Sequence, residues 1–343
     1  MGCVILRALL VILTLLLGAP AASAAGDGAF APLSRPGPAL GIAKEKLRES
    51  VACTDDVAGA SRAPVLLLPA TGVDSHSNFS WNYAQLFDAE GIPYCTSDQP
   101  GKRSTNLTDI QVRGKYLTYA IRHVYRLAGR KIAVMGHSQG GMAMRFPLRF
   151  WPGTRKMVDD VIGFAGTNHG TEAAGSCSDG CTAAAHQQAA GSDFITALNS
   201  RAETFSPISY TEVFTLLDEV VTPPREASSV SGPGRITNVA VQEICPLDPN
   251  EHLGIGTVDA VASALALDAL DHDGPADPSR VDPAVCGQLF MPGFNPVTNL
   301  ADLALAAAQL ADSQLEPGVP SEPRLRCWVF KDVRGCRKAR RAG

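Results

Sequence analysis

Residues 131–145 read KIAVMGHSQGGMAMR, and this stretch decides how the rest of the chain is read. Ile132 to Met135 form the short, continuous apolar run of a strand buried on both faces of a parallel sheet. Gly136-His137-Ser138-Gln139-Gly140 then forces a turn, and a helix-compatible run follows from Met142. A serine held between a strand and a helix projects its hydroxyl out of the backbone. Glycines on either side let neighbouring main chain approach where a Cβ would not fit. The helix that starts at Gln139 points its N–H groups toward that serine, where negative charge would be stabilised. Ser138 is therefore read as a nucleophile on a G-x-S-x-G elbow.

Outward from the elbow, strand and helix patterns alternate, which predicts an α/β chain with a mostly parallel sheet. Upstream, Val65-Leu66-Leu67-Leu68 reads as a buried strand that breaks at Pro69-Ala70-Thr71-Gly72. Strands are further expected at residues 92–96, 158–165, 210–217 and 235–241. Helices are expected at 43–51, 79–89, 109–127, 257–270 and 300–310. The 109–127 stretch carries Ile110, Leu117, Ile121 and Val124 at helical spacing. Residues 175–200 change character, being small, polar and alanine-rich, and are read as part of a lid or cap excursion spanning 172–208. No internal repeat interrupts the pattern, and 25–343 reads as one domain.

The first 24 residues have the form of a secretory signal peptide: Arg7, an apolar run, and Ala22-Ser23-Ala24 before the cut. The run is too short to span a bilayer, and no later segment is apolar enough to do so. Cys3 precedes the run, which argues against a lipid anchor. Removing Arg7 with the leader takes the formal charge from −4 to −5, so there is no overall nucleic-acid footprint. A basic tail, 337–343, reads as a solvated terminus. Of nine cysteines, Cys3 would leave with the leader. The remaining even set, Cys53, Cys95, Cys177, Cys181, Cys245, Cys286, Cys327 and Cys336, reads as disulfides in an exported chain. Proximity along the chain suggests Cys177–Cys181 and Cys327–Cys336 and leaves the others open. A zinc site at Cys177-x3-Cys181 would lack a second ligand pair. Neither metal nor cofactor is expected.

A serine hydroxyl needs a histidine base, and the base needs a carboxylate to orient it. On an elbow of this kind the chain order is Ser, then Asp or Glu, then His, each on a loop after a strand. His169 comes too early to leave an acid between it and Ser138, though its loop could line a pocket. His186 and His272 read as surface residues. His252 follows an acid-bearing strand and another strand, and is the expected base. Asp218, after the apolar run 214–217, is the expected acid, with Glu219 the runner-up. Asp248 is read as shaping the base loop, and Asp159 and Asp160 stand at the wrong edge of the sheet.

With these residues in place the chain resembles the Candida antarctica lipase B-like secreted lipases and esterases of the α/β-hydrolase superfamily. Pro69-Ala70-Thr71-Gly72, Ser138-Gln139-Gly140-Gly141, Asp218-Glu219-Val220-Val221 and the Cys245 to His252 loop carry the resemblance. It implies the α/β-hydrolase fold, with helices on both faces of the sheet. Ser138, Asp218 and His252 are implied as a triad, and Thr71 and Gln139 as the oxyanion hole. Only the backbone N–H of Gln139 enters that role, whatever its side chain does. Cys53–Cys95, Cys245–Cys286 and Cys327–Cys336 are implied as disulfides. Val220 and Val221 would line the substrate pocket, and the helix at 300–310 would flank its entrance. His137 stands where the family has a tryptophan, on the alcohol side of the pocket, and the Cys177–Cys181 excursion has no counterpart. The expected activity is hydrolysis of acyl or lipid esters by a secreted monomer that can meet a lipid interface transiently. Polyester or cutinase-like hydrolysis, or a non-catalytic envelope binding protein on the same fold, are the alternatives.

Overall fold

The computed structural model describes residues 27–101, 105–176, 180–313, 315–332 and 334–337. The leader and the end of the basic tail lie outside the described residues. So does Cys177, and with it the bridge expected to Cys181.

Seven strands form one sheet: β1 (Val51–Cys53), β2 (Val65–Leu68), β3 (Tyr94–Ser97), β4 (Ile132–His137), β5 (Val158–Phe164), β6 (Ser209–Phe214) and β7 (Arg235–Ala240). Their order is β1-β3-β2-β4-β5-β6-β7. Only the β1–β3 pairing is antiparallel, with Cys53 opposite Cys95 in register. The helices are α1 (Lys44–Glu49), α2 (Ser75–Phe79), α3 (Tyr83–Glu90), α4 (Ile110–Ala128), α5 (Gln139–Ala143), α6 (Arg145–Phe150), α7 (Ala183–Gln188), α8 (Asp193–Asn199), α9 (Pro224–Ser228), α10 (His252–Ile255), α11 (Ala260–Asp271) and α12 (Leu300–Ser313).

Alternation along the strands explains why they read as unbroken apolar runs. Leu66 and Leu68 of β2, with Ile132 and Val134 of β4, meet Leu117 and Ile121 of α4 and Phe146 of α6 on one face. Val65, Leu67, Ala133 and Met135 point the other way, onto Leu86 and Phe87 of α3 and Val261 and Leu265 of α11. Both faces of the central strands are covered, which is why apolar residues dominate them. The structure joins Cys53–Cys95, Cys245–Cys286 and Cys327–Cys336. The first two each close a loop of about forty residues, a length at which a bridge contributes about 2–4 kcal/mol.

Several boundaries differ from the sequence reading, each for a local reason. The helix expected at 79–89 starts only at Tyr83, where Asn82 caps α3 at Tyr83 N–H, and Phe79 instead closes α2, a helix the reading did not include and which Asp74 caps at Ser77 N–H. The helix expected at 43–51 forms over Lys44–Glu49, and its last residue, Val51, belongs instead to β1, whose three residues are too few to show a period. The strand expected at 210–217 stops at Phe214, where Thr215 Oγ1 donates to the Asn250 carbonyl and Leu216 N–H is taken by Gln242. The helix expected from residue 257 starts at Ala260, capped by Asp259. Within the expected excursion, Ala184, Phe194 and Leu198 are buried in the main core, and Phe194 stacks on Phe146 at 5.2 Å.

Candidate active site

Ser138 sits between β4 and α5 with φ 54° and ψ −120°, a backbone geometry most side chains avoid. Close packing holds it there. A Cβ on Gly136 would lie 2.4 Å from the Gly140 carbonyl carbon, and one on Gly140 would lie 2.1 Å from the Leu68 carbonyl oxygen. Ser138 N–H donates to the Phe164 carbonyl at 2.8 Å, tying the turn to β5.

His252 opens α10, and Glu251 caps that short helix through Leu253 N–H and Gly254 N–H. Its Nε2 lies 3.1 Å from Ser138 Oγ, and its Nδ1 lies 2.8 Å from Asp218 Oδ2. The other Asp218 oxygen accepts Val220 N–H at 2.9 Å and Val221 N–H at 2.7 Å, so the carboxylate cannot swing away. A carboxylate can only accept, which puts the His252 proton on Nδ1 and leaves the Nε2 lone pair facing the serine hydroxyl. Glu219, the runner-up acid, instead accepts from the backbone N–H of His252 at 3.4 Å. Asp248 accepts from Asn250 N–H and Nδ2, shaping the loop as its position suggested.

His137 is buried beside His252. Its Nε2–H donates to the His252 carbonyl at 3.0 Å, and its ring lies 5.2 Å from the His252 ring. Its Nδ1 faces the Asn78 amide at 3.4 Å. Burial, with His252 alongside, pushes its pKa down to about 3, so the ring is neutral. A Cβ on Gly256 would fall 2.1 Å from the ring, so that residue has to be glycine for His137 to fit.

A cavity of about 640 Å³ opens over these groups, lined by Ser138, His252, Thr71, His137 and Val220 and walled on one side by Ala306, Ala307 and Leu310 of α12. Val221 is a correction to the expected pocket set: it is fully buried, and its backbone serves Asp218 instead. His169 also points elsewhere, with its ring nitrogens on the Glu226 carbonyl and the Glu203 carboxylate. His186 is partly buried and meets the Val319 carbonyl at 3.0 Å, where a surface residue was expected.

Thr71 lies just past β2 on the cavity wall. Gln139 is the first residue of α5, so its N–H has no partner within the helix. Its side chain, to which the sequence reading gave no part, donates to Thr71 Oγ1 at 3.0 Å and to the Asn106 carbonyl at 2.9 Å. Arg113 of α4 donates to its oxygen. Gln188 of α7 also reaches Thr71 Oγ1, at 3.0 Å, and Thr167 bonds to Gln188. Neither Arg113, Thr167 nor Gln188 belongs to a motif that sequence inspection could flag.

No family model matches the chain. Lipase B of Pseudozyma antarctica is 30% identical over 223 residues, which is 63% of this chain and 64% of that protein. The match therefore spans just under two thirds of that relative's length. The crystal structure of Aspergillus fumigatus lipase B superposes with a TM-score of 0.75 at 27% identity, covering 88% of this chain and 75% of that one. The chain has the α/β-hydrolase fold and is similar, in sequence and in structure, to the lipase B proteins.

Proposed function

We propose that the chain is a secreted serine hydrolase of carboxylic esters, acting on acyl esters whose chains are apolar. One observation carries the reading: the continuous contact Asp218–His252–Ser138, at 2.8 and 3.1 Å, opens onto a large, mainly apolar cavity. His252 Nε2 takes the hydroxyl proton as Ser138 Oγ attacks the ester carbonyl carbon. Asp218 holds the resulting imidazolium in place. The tetrahedral oxyanion is met by the Thr71 and Gln139 N–H groups and the Thr71 hydroxyl. Collapse expels the alcohol, which takes its proton from His252. Water, deprotonated by the same nitrogen, then releases the acid from the acyl-enzyme.

Three disulfides fit an extracellular protein, and export is the reading of the leader. The test is Ser138→Ala together with a serine-directed phosphonate. Ester hydrolysis should fall on the order of 10⁶-fold while the melting temperature holds, and the wild type should be labelled at Ser138 alone. Labelling at another serine, or turnover that survives the substitution, would overturn the triad. Rates across p-nitrophenyl esters of increasing chain length, with and without an interface, then define the acyl preference.

A further inference from the structure

A hydroxyl carries one proton and two acceptor sites. Both acceptor sites of Thr71 Oγ1 are occupied, by Gln139 Nε2 and Gln188 Nε2, each at 3.0 Å. Neither amide can be turned around. The oxygen of Gln139 faces the Arg113 guanidinium, which has only donors, while its nitrogen also serves the Asn106 carbonyl at 2.9 Å. The nitrogen of Gln188 also serves the Ala184 carbonyl at 3.2 Å, and its oxygen accepts the Thr167 hydroxyl at 3.0 Å. Both amides are buried, Gln139 fully and Gln188 to within 6% exposure, so water does not compete for them. Among the described residues no group accepts the Thr71 proton. With its lone pairs filled from the protein side, the hydroxyl has one direction left for that proton, the cavity it lines beside Ser138.

We infer that Gln188 and the side chain of Gln139 are positioning residues: they saturate the Thr71 hydroxyl as an acceptor and so commit its proton to the oxyanion. This rests on the reading of Thr71 as an oxyanion donor. It gives the segment around α7 a chemical part. Arriving some fifty residues after the elbow, that segment supplies one of the two amides and so completes the oxyanion site from the wall. Arg113 acts one step further back by fixing which end of Gln139 faces Thr71.

The experiment is a double-mutant cycle on Gln188→Leu and Thr71→Val, with kcat normalised by phosphonate titration so that only folded sites are counted. Thr71→Val should lower kcat by about 10²–10³ with little change in KM. Gln188→Leu should lower kcat by roughly tenfold, again at constant KM, because the freed hydroxyl samples other directions. In the Thr71→Val background, Gln188→Leu should cost less than about twofold, since no hydroxyl is left to orient. Gln188→Glu keeps the shape and reverses the sense. As a carboxylate it accepts a hydrogen bond from the Thr71 hydroxyl and turns that donor away from the cavity, and kcat should fall to about the Thr71→Val level. It also serves as the second variant if Gln188→Leu does not fold. A Gln188→Leu loss that is just as large without the Thr71 hydroxyl would overturn the positioning role and leave the oxyanion reading intact. An unchanged kcat in Thr71→Val would overturn the hydroxyl's part in the oxyanion site first, and the positioning role with it.

Discussion

The elbow and the rim helix face each other across one cavity and are built on opposite principles. Every residue of β4 and α5 is buried, and Gly136 and Gly140 let backbone meet backbone at contact distance. α12 lies along the mouth with Leu305 53% exposed and Leu310 41% exposed, and it turns alanines toward the cavity. Its hold on the body includes the paired bonds of Gln309 with Asp74: the Asp74 backbone N–H donates to Gln309 Oε1 at 3.0 Å, and Gln309 Nε2 donates to the Asp74 carboxylate at 2.9 Å. The position of the reacting serine is thus set by main chain that cannot yield. The shape offered to a substrate is set by side chains on a helix whose outer face carries little of the core. On the proposed reading, chemistry and substrate range can therefore be altered separately.

The sharpest attack on that contrast is Gly140→Ala. The new methyl would sit 2.1 Å from the Leu68 carbonyl, with no flexible side chain to give way. Overpacking of this kind costs about 1–3 kcal/mol, and the serine must move with the backbone. Melting temperature and turnover should fall together; a variant that keeps both would show the elbow to be softer than its packing implies.

A second test lies beneath the elbow. Glu212 of β6 is fully buried against Gly163, near Arg145 and Asn168, and burial pushes its carboxyl from 4.5 up to about 8. Between those values the folded chain keeps a proton that the unfolded chain releases. Stability attributable to this group is therefore complete below about pH 4.5 and lost as pH rises through about 8. Glu212→Gln should flatten the decline in melting temperature over that range and leave the α12 side untouched. An unchanged slope would mean that Glu212 does not supply the proton.

On the rim, Ala307→Phe adds a ring to the cavity wall without entering the core. Turnover of short-chain esters and the melting temperature should stay near wild type, while kcat/KM for long acyl chains should drop roughly tenfold. Loss of short-chain activity as well would join the two regions that the structure separates. The smallest effect is expected for Leu305→Ser, an exposed position, where stability should change by less than about 0.5 kcal/mol in a denaturant melt.

Which parts of this could be read in the chain follows the same division. Gly136, Ser138 and Gly140 were legible because a backbone constraint leaves few residue choices, and such constraints are written locally. Asp218 and His252 were legible because chain order after a parallel strand limits the candidates. Gln188 was not, since an amide in an alanine-rich stretch looks like solvent-facing polarity until α7 docks on α4 and brings it to Thr71. The side chain of Gln139 was hidden by its own neighbourhood: its backbone role accounted for the residue and left no reason to ask about the rest. Val221 went the other way. An apolar residue beside the acid was expected on the pocket wall, but its N–H was needed by Asp218, and that turned the side chain inward. β1 escaped because three residues carry too little pattern.

The parallel sheet has a further consequence, in time. Ser138 is delivered by β4, Asp218 by the turn after β6 and His252 by the loop after β7, and β5 lies between the first of these strands and the other two. Parallel neighbours are joined by long crossovers, and pairings between distant segments form slowly. A chain with β2, β3 and β4 assembled already presents its serine, yet has neither base nor acid beside it. On the proposed reading, a chain folded only that far could not turn over, and activity would wait for β6 and β7 to dock.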